Sequence, residues 1–194
     1  ADSLLSRGLL ELQYEAVEGE AAGKQQAVNL TLQADGTYRA RLPRPGRFRG
    51  LARSGIFLSS TLDEMRGGTI SDVFDFDVRD GDETTRDLAL HPASRLQVTI
   101  VDPAGGPVAG CSVTIEPQNR AIPIAPIERA QSIYGSIESG PLPPGRYRVS
   151  VHAVGHRVRI TTQEVDLGAK GEVRRLEMRL PPSKEYFDPD SFDP

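Results

Sequence analysis

Apolar and polar residues alternate along much of this chain. Leu96, Val98 and Ile100 fall on every second position, with Gln97 and Thr99 between them, which is the period of a half-buried β-strand. Cys111, Val113 and Ile115 repeat the pattern, and Tyr147, Val149, Val151 and Ala153 alternate with Arg146, Arg148, Ser150 and His152. Val158 and Ile160 continue it, and Leu176, Met178 and Leu180 alternate with Arg175, Glu177 and Arg179. Turn chemistry separates these runs, as in Asp102-Pro103-Ala104-Gly105-Gly106-Pro107, where proline fixes φ and glycine supplies positive φ. Nearer the N-terminus the same reading predicts strands over 10–16, 28–33, 38–42, 47–52, 70–77 and 86–90. The first of these competes with a helix, because Leu5, Leu9, Leu12 and Ala16 also fit a helical stripe with Ser3 as its cap.

An internal repeat decides that competition for β. Pro45-Gly46-Arg47-Phe48-Arg49 returns as Pro144-Gly145-Arg146-Tyr147-Arg148, and the same offset relates Gly36 to Gly135 and Thr37 to Ser136. A second anchor, Arg86-Asp87-Leu88-Ala89-Leu90, resembles Arg174-Arg175-Leu176-Glu177-Met178 at a shorter offset, so the first copy is the longer between its anchors. Two ordered anchors point to a tandem duplication. The boundary falls at His91-Pro92-Ala93-Ser94, dividing a divergent first domain over 1–92 from a clearer second domain over 93–181, with an extended acidic tail over 182–194. So short a connection predicts two domains held nearly rigidly. The expected fold class is all-β, a tandem of two antiparallel β-sandwiches.

Composition agrees and excludes other classes. Among 194 residues there are 19 Gly and 15 Pro, about one residue in six, which suits a turn-rich β chain and not a helical bundle. No apolar run of about 18 residues is present to span a bilayer, and the first ten residues lack a signal peptide's basic and apolar regions, as a mature or excised fragment also would. A net charge of −4 gives no general attraction to polyanions, so nucleic acid is not an expected partner. The single Cys111 forms no intramolecular disulfide and builds no zinc site alone, which leaves the compartment open. Positive charge is almost all arginine, a coding bias that suggests a bacterial source.

The run from Val101 to Ile115, with its Pro107-Val108-Ala109-Gly110 step, resembles the opening of a carboxypeptidase regulatory-like domain. Leu142-Pro143-Pro144-Gly145-Arg146-Tyr147-Arg148-Val149 resembles the second hallmark of that family, and Ala153-Val154-Gly155-His156 resembles its strand-ending turn, with His in the aromatic's place. The resemblance covers 95–181; the first copy carries only the second hallmark. It implies an immunoglobulin-like or transthyretin-like β-sandwich that is non-catalytic, from secreted, periplasmic or surface proteins, with no catalytic residue to carry over. The related hydroxyisourate hydrolases end in Tyr-Arg-Gly-Ser, whereas this chain ends Ser191-Phe192-Asp193-Pro194.

Candidate chemistry is sparse. His152 and His156 would lie about 13 Å apart on one strand and read as surface or turn residues. Asp75, Asp77, Asp80 and Asp82 form an oxygen-rich stretch that could attract calcium but miss the EF-hand register, so a solvated strand face and turn is the simpler reading. Arg39, Arg41, Arg44, Arg47, Arg49 and Arg53 could offer phosphate a guanidinium site, or merely face that acidic strand. Cys111 reads as a small core residue, and Asn29-Leu30-Thr31 is a glycosylation sequon within a predicted strand. Two apolar segments break the pattern: the loop over 120–131, with Ile122, Ile124 and Ile127, and the stretch with Ile56, Phe57 and Leu58. They are candidate partner-binding residues if they are not core plugs or domain contacts. The functional expectation is a non-enzymatic structural or protein-interaction segment of a larger bacterial secreted or envelope protein, with no cofactor, no resident metal and no membrane insertion. Carbohydrate binding is the alternative, weakened by the absence of Trp and by inward-facing Phe48 and Tyr147; a hydrolase-associated accessory domain is third. Partner identity and oligomeric state stay open.

Overall fold

A computed structural model describes residues 10–19, 22–33, 35, 37–54, 68–81, 83–124, 126–130, 135–153, 159–168 and 171–182. Among them are fourteen β-strands and no helix. Seven belong to the first half: β1 (Leu10–Ala16), β2 (Gln25–Leu32), β3 (Tyr38–Arg39), β4 (Gly46–Ser54), β5 (Thr69–Ser71), β6 (Phe74–Val78) and β7 (Leu90–Pro92). They join one sheet in the order β3-β2-β1-β4-β5-β7, with β6 also paired to β4. The second half holds β8 (Ser94–Val101), β9 (Cys111–Pro117), β10 (Ile127–Ala130), β11 (Ser136–Leu142), β12 (Gly145–Ala153), β13 (Arg159–Leu167) and β14 (Val173–Arg179). These make two sheets, β10-β9-β12-β13 and β11-β8-β14.

Alternation explains the second half directly. Every second side chain of β8, β9 and β12 turns inward, so Leu96, Val98, Ile100, Cys111, Val113, Tyr147, Val149 and Val151 are wholly buried in one core between the two sheets. Leu176 and Met178 of β14 close it. The Tyr147 hydroxyl donates to the Pro143 carbonyl at 2.7 Å, which gives its one polar atom a partner inside the core.

In the first half, the even-numbered positions of β1 and β4 build a second core of Leu12, Tyr14, Ala16 and Phe48, with Val28, Leu30, Leu42, Phe74, Phe76 and Val78 half-buried around it. Tyr14 meets Phe48 edge-on and Phe48 stacks on Phe76, each pair 5.6 Å between centroids. The path β2-β1-β4-β6 and the path β10-β9-β12-β13 have the same order and the same antiparallel pairing.

Several expectations are corrected. The strand over 70–77 is two strands, broken at Asp72-Val73, where the Ser71 hydroxyl accepts from the Ala52 amide and donates to the Asp72 carbonyl. Residues 86–89 form no strand; Arg86 instead lies over the Phe74 ring and donates to the Asp75 carbonyl. The apolar loop ends in an edge strand, β10, because Pro126 is its last proline and Ile127 to Ala130 are free to pair with β9. The pairing is not wholly antiparallel, since β14 runs parallel to β8, a contact open to strands separated by a long crossover. The first half makes one connected sheet where a two-sheet sandwich was expected.

Candidate interaction site at the joint between the halves

The connection from β9 to β10 is shaped by its own hydrogen bonds. The Asn119 side-chain oxygen accepts from the Ala121 amide at 2.9 Å, and the Asn119 carbonyl accepts from the Ile122 amide at 3.1 Å. The Ile124 amide then donates to the Ile122 carbonyl at 2.9 Å, folding Ile122-Pro123-Ile124 into a compact tip. That tip enters a cluster with Leu51 of β4, Ile70 of β5 and Ala93, the residue between β7 and β8. Ile122 is 4% and Ile124 1% exposed, and Leu51 is fully buried. Ile127 packs half-buried against the same group. The partner candidates Ile122 and Ile124 therefore face another part of this chain. Ile56, Phe57 and Leu58 lie outside the described residues.

Leu51 was the missed signal. On β4 the outward positions 47, 49 and 53 are arginines, and Leu51 stands among them next to inward Ala52. Adjacent apolar residues on a strand indicate burial on both faces, and here the second face is covered by the loop. Beside Leu51, Arg53 forms an ion pair with Glu11 on β1 at 3.0 Å, and Gln13 donates to the same carboxylate at 2.7 Å. Beside the tip, a cleft of about 220 Å³ is lined by Ile70, Ser71, Asp72 and Val73 from one half and Ile122, Pro143 and Pro144 from the other. His91 Nε2 lies 3.7 Å from Asp72 Oδ2 at the same corner.

The remaining candidates are scattered. The Asp75 carboxylate accepts from Arg49 at 3.0 Å, as expected of arginines facing the acidic strand, and Arg47 stands opposite Asp77 in the β4–β6 register. The second half carries the same outward ladder, with Arg146 on Asp166 at 3.0 Å and Arg148 on Glu164 at 3.8 Å. Asp80 is exposed on a turn, and Asp82 lies outside the described residues. Among the described residues no three His, Cys, Asp or Glu side chains gather as a metal cluster. Arg39 pairs with Glu83 at 3.3 Å, while Arg41 and Arg44 are exposed. Cys111 is fully buried, His152 is half-buried, and His156 lies outside the described residues. Asn29 is exposed on β2. Phe48 and Tyr147 face their cores at 2% and 0% exposure. No helix among the described residues is long and apolar enough to cross a membrane.

No protein-family model matches the sequence, and no curated protein does. Among solved structures, the chain is similar to the Bacillus anthracis TIE protein, at 14% identity and a TM-score of 0.39, over 89% of this chain and 34% of that one. It is similar to a streptococcal ancillary pilin at 15% identity and a TM-score of 0.35, over 91% of this chain and 63% of that one. It is also similar to BcpA, the major pilin subunit of Bacillus cereus, at 8% identity and a TM-score of 0.39, over 90% of this chain and 59% of that one. The chain thus spans between a third and just under two thirds of these proteins. At such TM-scores no residue role passes from them to this chain.

Proposed function

We propose that this chain is a rigid pair of all-β modules, the second a two-sheet sandwich, non-catalytic, serving as a structural or protein-interaction segment of a larger bacterial secreted or envelope protein. The observation that carries this reading is the joint. Two halves that share one four-strand antiparallel path and the same outward charge ladder meet through a buried apolar contact, Ile122 and Ile124 against Leu51 and Ile70. A covered contact of this kind stops two modules from turning independently, which suits a spacer that holds whatever flanks it at a set distance and angle. The division into modules over 1–92 and 93–181 belongs to this reading. It is supported by β7 ending at Pro92 in the first sheet and β8 beginning at Ser94 in the second half. The carboxypeptidase regulatory-like resemblance of 95–181 agrees with the two-sheet core there.

The test replaces these residues, in frame, in the bacterial surface protein that carries them. An unrelated rigid two-module spacer of similar length restores the parent's reach if the role is structural. Loss of a specific protein partner despite the spacer identifies the interaction role. Substrate turnover by the purified chain overturns the proposal.

A further inference from the structure

Three glycines border the joint, and at each a Cβ would meet a close neighbour. On Gly68 it would lie 3.2 Å from the Pro141 ring of the other half and 3.2 Å from the Ser54 carbonyl. On Gly171 it would lie 3.2 Å from Pro92, and on Gly145 only 2.8 Å from Cδ1 of Ile122. Relieving each 3.2 Å approach needs a shift of a few tenths of an ångström, on Gly68 from the buried Pro141 ring or the Ser54 carbonyl. Cδ1 of Ile122 ends a flexible side chain, but that side chain is 4% exposed in the cluster with Leu51 and Ile70. Displacing it therefore displaces the joint.

The repeat supplies an internal control. Gly46 occupies the matching corner of the first half, with φ of +150° against +157° at Gly145. A side chain is strained at either position, yet the nearest atoms to a Cβ on Gly46 belong to Phe48 of its own strand at 3.5 Å. Equal backbone demands thus go with unequal surroundings.

We infer that the angle between the halves is set by these glycine approaches, Gly68 on Pro141, Gly145 beneath Ile122 and Gly171 on Pro92, and not by the short connection at Ala93 alone. The inference rests on the rigid-pair reading and names the positioning residues of that pair. Residual dipolar couplings of the full 194-residue chain in a weakly aligning medium test both. In the wild type, couplings from the two halves fit one alignment tensor. Gly68→Ala, whose φ lies outside the left-handed region, and Gly145→Ala each leave both halves folded by their amide spectra but rotate one tensor against the other. Gly46→Ala does not rotate it. Ile122→Val removes the Cδ1 atom and, in the Gly145→Ala background, returns the wild-type orientation.

A wild-type orientation in both Gly68→Ala and Gly145→Ala, or an equal rotation in Gly46→Ala, overturns the glycine assignment. Two independent tensors in the wild type overturn the rigid pair itself. If Gly145→Ala does not fold, Gly68→Ala decides.

Discussion

Tyr147 condenses the logic of the second core into one side chain. Its ring is fully buried, its hydroxyl donates to Pro143, and burial pushes the phenol well above its usual value of 10.0. The unfolded chain therefore ionises this group first as pH rises. The stability tied to its neutral form is complete below about pH 10 and declines progressively above it. Tyrosinate absorbance at pH 11 should lag in the native chain relative to the chain in denaturant, and Tyr147→Phe should shrink that lag. The same substitution leaves the buried Pro143 carbonyl without its donor and should cost about 1–3 kcal/mol in a urea titration. Tyr14 shares the direction, raised by burial and opposed by the charge of Arg44, but it is the less enclosed ring.

Strands differ in how plainly they announce themselves. β8, β9, β12 and β14 were readable because each buries one face and wets the other, so period two stands in the sequence unmixed. β5 and β6 look like one strand in the sequence because Ile70, Phe74 and Phe76 keep a common parity across the break, and only the Ser71 hydroxyl reveals the corner. The sequence places β7 too early because Leu88 and Leu90 preserve the alternation of a strand, while Arg86 is drawn to Phe74 instead. Of the joint, the loop isoleucines were legible as apolar residues held out of a sheet by proline. Their receptor was not, since Leu51 and Ile70 lie far apart in sequence and meet only when β4 pairs with β5.

Charged pairs between strands also divide sharply by burial. Arg146 and Asp166 are each more than half exposed, so Asp166→Asn should leave the urea midpoint almost unchanged. Arg53 and Glu11, at 8% and 18% side-chain exposure, behave differently. Glu11→Gln removes the charge of one partner of a buried guanidinium and should lower stability by more than Asp166→Asn does. Urea midpoints of the two variants check the ordering.

Across the joint, the first sheet and the second half share Leu51, Ile70, Ala93, Ile122 and Ile124 in one cluster, so neither side keeps its full burial if the other opens. Calorimetry of the intact chain should therefore give a single transition. Ile124→Ala, losing about 2–5 kcal/mol of packing, should split it into two. Cys111 makes that separation visible by chemistry. It is the chain's only cysteine, and it sits with no exposed surface on the inner face of β9, away from the joint. A thiol reagent can reach it only when the second core comes apart. In Ile124→Ala its alkylation rate is thus a clock that runs on the second half alone, and it should quicken further when Tyr147→Phe is added.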